Sequence, residues 1–160
     1  MYIDTYSRQF QYRVVHGYLG VNHIMKKWKI SDTARCSYCF EENETIEHLF
    51  CSCTYAITLY RNIEQWCQPF NVEMPSNTYE NIVLYNFLNT ESFSYLHCHL
   101  ILIYKMLLYN SRSDPTSLNM HTFVNRVKIT ERTEYRIAKK KDKIMQHLRK
   151  WAPYTEGVNT

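Results

Sequence analysis

The sequence predicts a mainly α protein in which a small Cys/His unit, packed with short helices, is followed by a helical C-terminal half. Three observations carry that prediction. Only three Gly and four Pro occur in 160 residues, too few turn formers for a many-stranded β fold. Apolar residues recur at helical spacing through most of the chain. Cys36, Cys39, His48 and Cys53 stand in one compact block, C-x2-C-x8-H-x4-C, whose donor types suit a metal ion.

Taken in order, Phe10, Val14, Val15, Tyr18 and Leu19 predict a first helix, with Gly20 placed to stop it. Asn22 is a cap for a second, short helix with Ile24, Met25 and Trp28 on its apolar side and Lys26, Lys27 and Lys29 facing solvent. The cysteine turn and a polar loop, Glu41 to Glu44, come next; Thr45 then caps a short helix carrying Glu47, His48, Leu49 and Phe50. A stronger helix runs from Thr54 to about Cys67 with Ala56, Leu59, Ile63 and Trp66 in one stripe. Pro69, Pro75, Ser76 and Asn77 make 69–79 a loop, the seam between a metal-binding unit at 8–68 and a helical region at 80–154.

Beyond it, Tyr79 to Leu88 is weakly helical, and Ser94 to Tyr109 strongly so; the latter is apolar nearly all round and is expected to be buried. Asp114 and Pro115 break the chain, Ser117 opens a further helical stretch, and a last helix is expected from Thr130 to Trp151, ended by Pro153.

Charge is uneven. From Arg126 onward there are ten Lys/Arg against four acids, a local balance of +6 in a chain whose formal net charge is +4, so the tail is basic and the rest is at −2. The longest apolar run, Leu100 to Tyr109, contains Lys105 and is too short to span a bilayer, so no membrane partner is expected. No signal peptide precedes the six cysteines, and Cys67 and Cys98 lie singly in apolar stretches. A reducing compartment with metal-bound thiols is expected, placing the protein inside the cell, in nucleus or cytoplasm.

Three thiolates and an imidazole suit tetrahedral Zn2+, and a two-residue gap lets one tight turn aim Cys36 and Cys39 at the same ion. With all four positions filled by protein, such a site folds a domain and does not activate water. Cys51 competes with Cys53 for the fourth place: on a regular helix His48 and Cys51 share a face, whereas His48 and Cys53 diverge by about 140°. Cys53 can ligate only where the chain leaves the helix near Phe50 to Ser52; helix geometry leaves both choices open.

The segment F-Q-Y-R-V-V-H-G-Y-L-G-V-N (Phe10 to Asn22), followed by C-S-Y-C-F-E-E-N-E-T-I-E-H-L-F-C-S-C (Cys36 to Cys53), resembles the zinc-binding region that follows the polymerase in LINE-type, non-LTR retrotransposon reverse transcriptases. The tail is similar too, ending in a basic stretch and a K-W-x-P-like sequence, Lys150 to Pro153. The resemblance covers most of residues 8–154, specifically in the cysteine block and loosely elsewhere. It implies that Cys53 is the fourth ligand and Cys51 a bystander, and that the chain is a C-terminal module helping an upstream reverse transcriptase domain to hold RNA or DNA. It does not imply an enzyme. Asp4, Asp32, Asp114 and Asp142 are scattered, with no Tyr-x-Asp-Asp pair and no endonuclease carboxylate cluster, and the histidines outside the block form no triad spacing.

For nucleic acid the candidate contacts are Arg136, Lys139, Lys140, Lys143 and Lys150, since cations near phosphates release counterions. Tyr135 and Tyr154 are candidates for stacking, more simply read as packing within the domain. A zinc-stabilised protein interaction module is the alternative function. No small-molecule substrate is expected.

Overall fold

The computed structural model describes residues 4–89 and 95–158, which form helices and turns with no strand among them. Helix α1, Thr5–Val15, is capped by Asp4, whose carboxylate accepts from the Ser7 amide, and it buries Phe10 and Val14. It ends earlier than the apolar spacing predicts. Gly17, not Gly20, takes the left-handed conformation, and the Tyr18 amide closes back onto the Arg13 carbonyl at 2.8 Å. This places Tyr18 outside the helix and in solvent, while Leu19 turns inward.

Helix α2, Asn22–Lys27, has Val21 at its cap position. Asn22 is instead its first residue, and its side-chain amide donates to the Arg35 carbonyl at 2.8 Å and reaches the Ser37 hydroxyl at 3.1 Å. Trp28 is exposed, contrary to the apolar side expected for it.

Helix α3, Thr54–Cys67, follows its predicted bounds and buries Ala56, Leu59, Tyr60 and Ile63. Trp66 is half-buried in a ring cluster with Phe70, Phe123 and Tyr154. A 3-10 turn, Gln68–Phe70, opens the connecting segment, in which Val72 and Met74 are buried and the Tyr60 hydroxyl donates to the Pro75 carbonyl at 2.6 Å. The buried cluster is continuous across this segment, from Phe10 to Tyr154.

The weak helix expected at 79–88 is two pieces, α4 (Tyr79–Ile82) and a 3-10 turn at Asn86–Asn89, separated where Tyr85 adopts a positive φ. Helix α5, Tyr95–Asn110, is the central element, buried from Leu96 to Tyr104 and beyond, and it touches α1 and the two last helices; the predicted start at Ser94 lies outside the described residues. Its surface, apolar nearly all round apart from His97, His99 and Lys105, is why it sits in the middle.

After two 3-10 turns, α6 (Met120–Lys140) begins at Asn119, whose side chain accepts from the Thr122 amide; Ser117 belongs to the preceding turn. The single last helix expected from Thr130 to Trp151 does not exist. Asp142 takes a left-handed conformation with φ 54°, and the Lys143 amide bonds the Ala138 carbonyl at 2.9 Å. This is the closure a glycine usually supplies, here made by an aspartate. The chain then returns as α7, Ile144–Val158, packed against α6. Pro153 lies inside α7 and does not end it. Trp151 and Tyr154, on either side of that proline, are both buried in the ring cluster, so packing outweighs the proline's cost.

An ion network fastens the α5, α6 and α7 surfaces. The Glu134 carboxylate meets His99 at 2.9 Å, Lys150 at 2.6 Å and the Trp151 indole N–H at 2.8 Å. Burial pushes the Glu134 carboxyl up, but His99 and Lys150 outweigh it and hold the pKa at about 2. His147 pairs with Glu131 at 3.0 Å one turn away.

Candidate metal centre

A short loop presents Cys36 and Cys39. Arg35 and Asn43 face each other in an isolated antiparallel bridge, the Cys36 amide donates to the Glu42 carbonyl at 2.8 Å, and the Glu44 amide to the Ala34 carbonyl at 2.8 Å. Phe40 takes a positive φ just after Cys39, which turns the chain back, and the Arg35 guanidinium braces the turn by donating to the Phe40 and Glu41 carbonyls. The Tyr38 amide approaches the Cys36 sulfur at 3.4 Å.

His48 and Cys53 come from the other side. The Thr45 hydroxyl accepts from the His48 amide at 3.0 Å, the cap expected from the sequence. The chain then winds into a single wide turn, His48–Ser52, in which the Cys53 amide donates to the His48 carbonyl five residues back at 2.8 Å. Widening the turn from four residues to five is what carries Cys53 round to the side of His48, removing the divergence a regular helix imposes. Cys53 itself is extended, with φ −63° and ψ 134°, and starts α3.

The four donor atoms of Cys36, Cys39, His48 and Cys53 lie within 4.8 Å of one another. The Cys36 and Cys53 sulfurs are 3.8 Å apart, and the Cys39 sulfur is 3.4 Å from His48 Nε2. Donors at opposite edges of a zinc tetrahedron, with arms of about 2.0–2.3 Å, stand about 3.5–3.8 Å apart, so the residues fit this ion. The hydrogen bond shared by Cys36 and Cys53 raises the first thiol's pKa and lowers the second's. Cys51 is elsewhere: burial pushes its thiol up to about 12, and its carbonyl accepts from the Asn77 side chain.

Two further residues complete the site, and neither was singled out from the sequence. Glu42 lies 3.2 Å from His48 Nδ1, with the Ser52 hydroxyl at 3.3 Å. A carboxylate there favours the tautomer that keeps Nε2 free to ligate. Glu44 is wholly buried; its carboxylate accepts from the Asn22 amide, the Ser37 amide and hydroxyl, and Arg112. Burial alone raises its pKa, but the bonds from Ser37 and Asn22 and the Arg112 charge bring it below the ordinary carboxylate value. The signal for Glu42 was its place six residues before the histidine. For Glu44 no local signal exists, because its ionic partner lies 68 residues away.

The predicted phosphate contacts separate into two groups. Arg136, Lys139, Lys140 and Lys143 are exposed around the α6 to α7 reversal. Lys150 is not with them: its ammonium is largely covered and bound to Glu134. Tyr135 is partly exposed, packing on the His147 ring, whereas Tyr154 is buried.

No curated protein and no solved structure matches the chain. Residues 2–60, which hold α1, α2, the four-donor cluster and the first half of α3, match the model of a family described as zinc-binding in reverse transcriptase.

Proposed function

We propose that this protein is a non-catalytic, zinc-binding C-terminal module of a LINE-type, non-LTR retrotransposon reverse transcriptase, acting inside the cell to help an upstream polymerase domain hold RNA or DNA. The observation that carries the reading is the cluster of Cys36, Cys39, His48 and Cys53, with donor atoms within 4.8 Å, inside the segment that matches the reverse transcriptase zinc-binding family. In this reading Zn2+ is structural. It ties the 36–39 loop to the wide turn before α3, and so sets α1 and α2 against the helical half. Nucleic acid is met by the exposed cations Arg136, Lys139, Lys140 and Lys143.

The test is binding of labelled RNA and DNA by the zinc-loaded protein as salt is raised. Affinity is expected to fall with a log–log slope of about 3, and the triple reversal Lys139→Glu, Lys140→Glu, Lys143→Glu is expected to remove most of it. Absent binding, or binding indifferent to salt, overturns the nucleic-acid role and favours a protein interaction module.

A further inference from the structure

We propose that the outer face of α1 is a second nucleic-acid site, a stacking platform for unpaired nucleotides; this rests on the nucleic-acid reading above and assigns it a place and a strand preference. The exposed rings of Tyr12, His16 and Tyr18 form a ladder. Tyr12 and His16 have centroids 4.2 Å apart, and His16 and Tyr18 lie 6.4 Å apart with planes 18° from parallel. Tyr12 is 58% exposed and Tyr18 63%, so more than half of each side chain is within reach of a ligand.

The end of α1 creates this arrangement. Because Gly17 stops the helix, Tyr18 swings out beside His16 when a continued helix would have carried it over Val14, onto the buried face. Tyr12 and Tyr18 share a shallow cavity of about 540 Å³ with Thr5, Arg8, Gln9 and Arg13. Arg8 and Arg13 are exposed, and neither is ion-paired with a described carboxylate. No acidic residue occurs from Thr5 to Ser31.

Exposed rings beside exposed arginines match a base next to its phosphates. Each base offers a face to stack and each phosphate a charge to pair, and stacking on an aromatic side chain is sequence-tolerant. A duplex keeps its bases inside and meets only the arginines. The site is therefore selective for single strands, a property that the α6 to α7 cations, which meet phosphates alone, do not supply.

The experiment compares anisotropy of labelled oligo(U), oligo(dT) and a duplex, each about twelve nucleotides long, on the full zinc-loaded chain. Tyr12→Ala with Tyr18→Ala is expected to weaken both single strands about tenfold or more and the duplex less than about twofold. Tyr12→Phe with Tyr18→Phe, which keeps the rings, is expected to restore single-strand affinity; failure of that rescue overturns stacking. A loss confined to one of the two single strands supports the site and names the class of strand, RNA or DNA, that it accepts. If the alanine pair leaves single-strand affinity unchanged while the triple Lys-to-Glu reversal abolishes it, the platform is refuted and the module's nucleic-acid role stands. If the unmodified protein binds none of the three probes, both fall.

Discussion

Arg112, just past the end of α5, donates to the wholly buried carboxylate of Glu44 at 2.6 Å and so locks the loop carrying Cys36 and Cys39 onto the helical half. The same carboxylate holds the Ser37 amide between the two loop cysteines and the Asn22 amide that opens α2. Removing one member of a buried pair strands the other charge. Arg112→Met is expected to lower stability by about 3 kcal/mol in urea unfolding, and Glu44→Gln by a similar amount, with the double variant far short of the sum. Additive losses would show that the two residues act independently.

The fourth donor is testable by exchange of single atoms. Cys53→Ser is expected to release zinc into a colorimetric chelator and to lower the melting temperature sharply, because the binding free energy of a structural zinc is folding free energy. Cys51→Ser should retain a full equivalent of zinc. The opposite pattern would restore the regular-helix geometry in which His48 and Cys51 share a face.

Glu42 predicts a subtler effect. Glu42→Gln keeps size and polarity but removes the charge facing His48 Nδ1, 3.2 Å away. Zinc affinity is expected to drop about tenfold to a hundredfold in competition with a chelator of known strength. An unchanged affinity would leave Glu42 as a surface acid only.

Much of this architecture could be read from residue spacing, and the failures have definite causes. The bounds of α3 and the burial of α5 follow from apolar periodicity that packing merely completes. Helix ends were harder, since closure depends on which residue accepts a left-handed backbone. Apolar spacing points to Gly20 where Gly17 closes the helix, and Asp142 carries no glycine signal at all. Geometry left Cys53 undecided because helical wheels assume 3.6 residues per turn, and the chain spends one turn outside that rule. Glu44 looked like part of a polar loop, and only the fold brings Arg112 to it.

Lys105 gives a prediction in pH. Its ammonium is wholly buried, bonded to the Gln11 side chain at 2.6 Å and the Ile82 carbonyl at 2.7 Å, and set over the Tyr85 ring. The Cys51 and Cys98 thiols near it are themselves raised by burial and so supply no countercharge at neutral pH. Burial lowers the Lys105 pKa from 10.5 to about 7. Between those values the unfolded chain binds a proton that the folded chain does not, so this residue's contribution makes stability rise with pH, by at most about 1.4 kcal/mol per unit. Lys105→Met removes the penalty. Its advantage over the natural chain should be larger at pH 6 than at pH 9, by about 2.7 kcal/mol in paired urea titrations. A gap that does not vary with pH would mean that Lys105 keeps its ordinary proton affinity.

The reversal at Asp142 also fixes the shape in which the C-terminal charge is delivered. Had the chain stayed helical from Arg136 to Lys150, those cations would have been strung along a rod about 20 Å long, able to follow many successive phosphates. Folded back, α6 and α7 bring Arg136, Lys139, Lys140 and Lys143 to one blunt end and leave Lys150 inside. A blunt end covers a short patch whatever the length of the polymer it touches, so lengthening an oligonucleotide beyond that patch adds places to land without tightening the grip at any one of them.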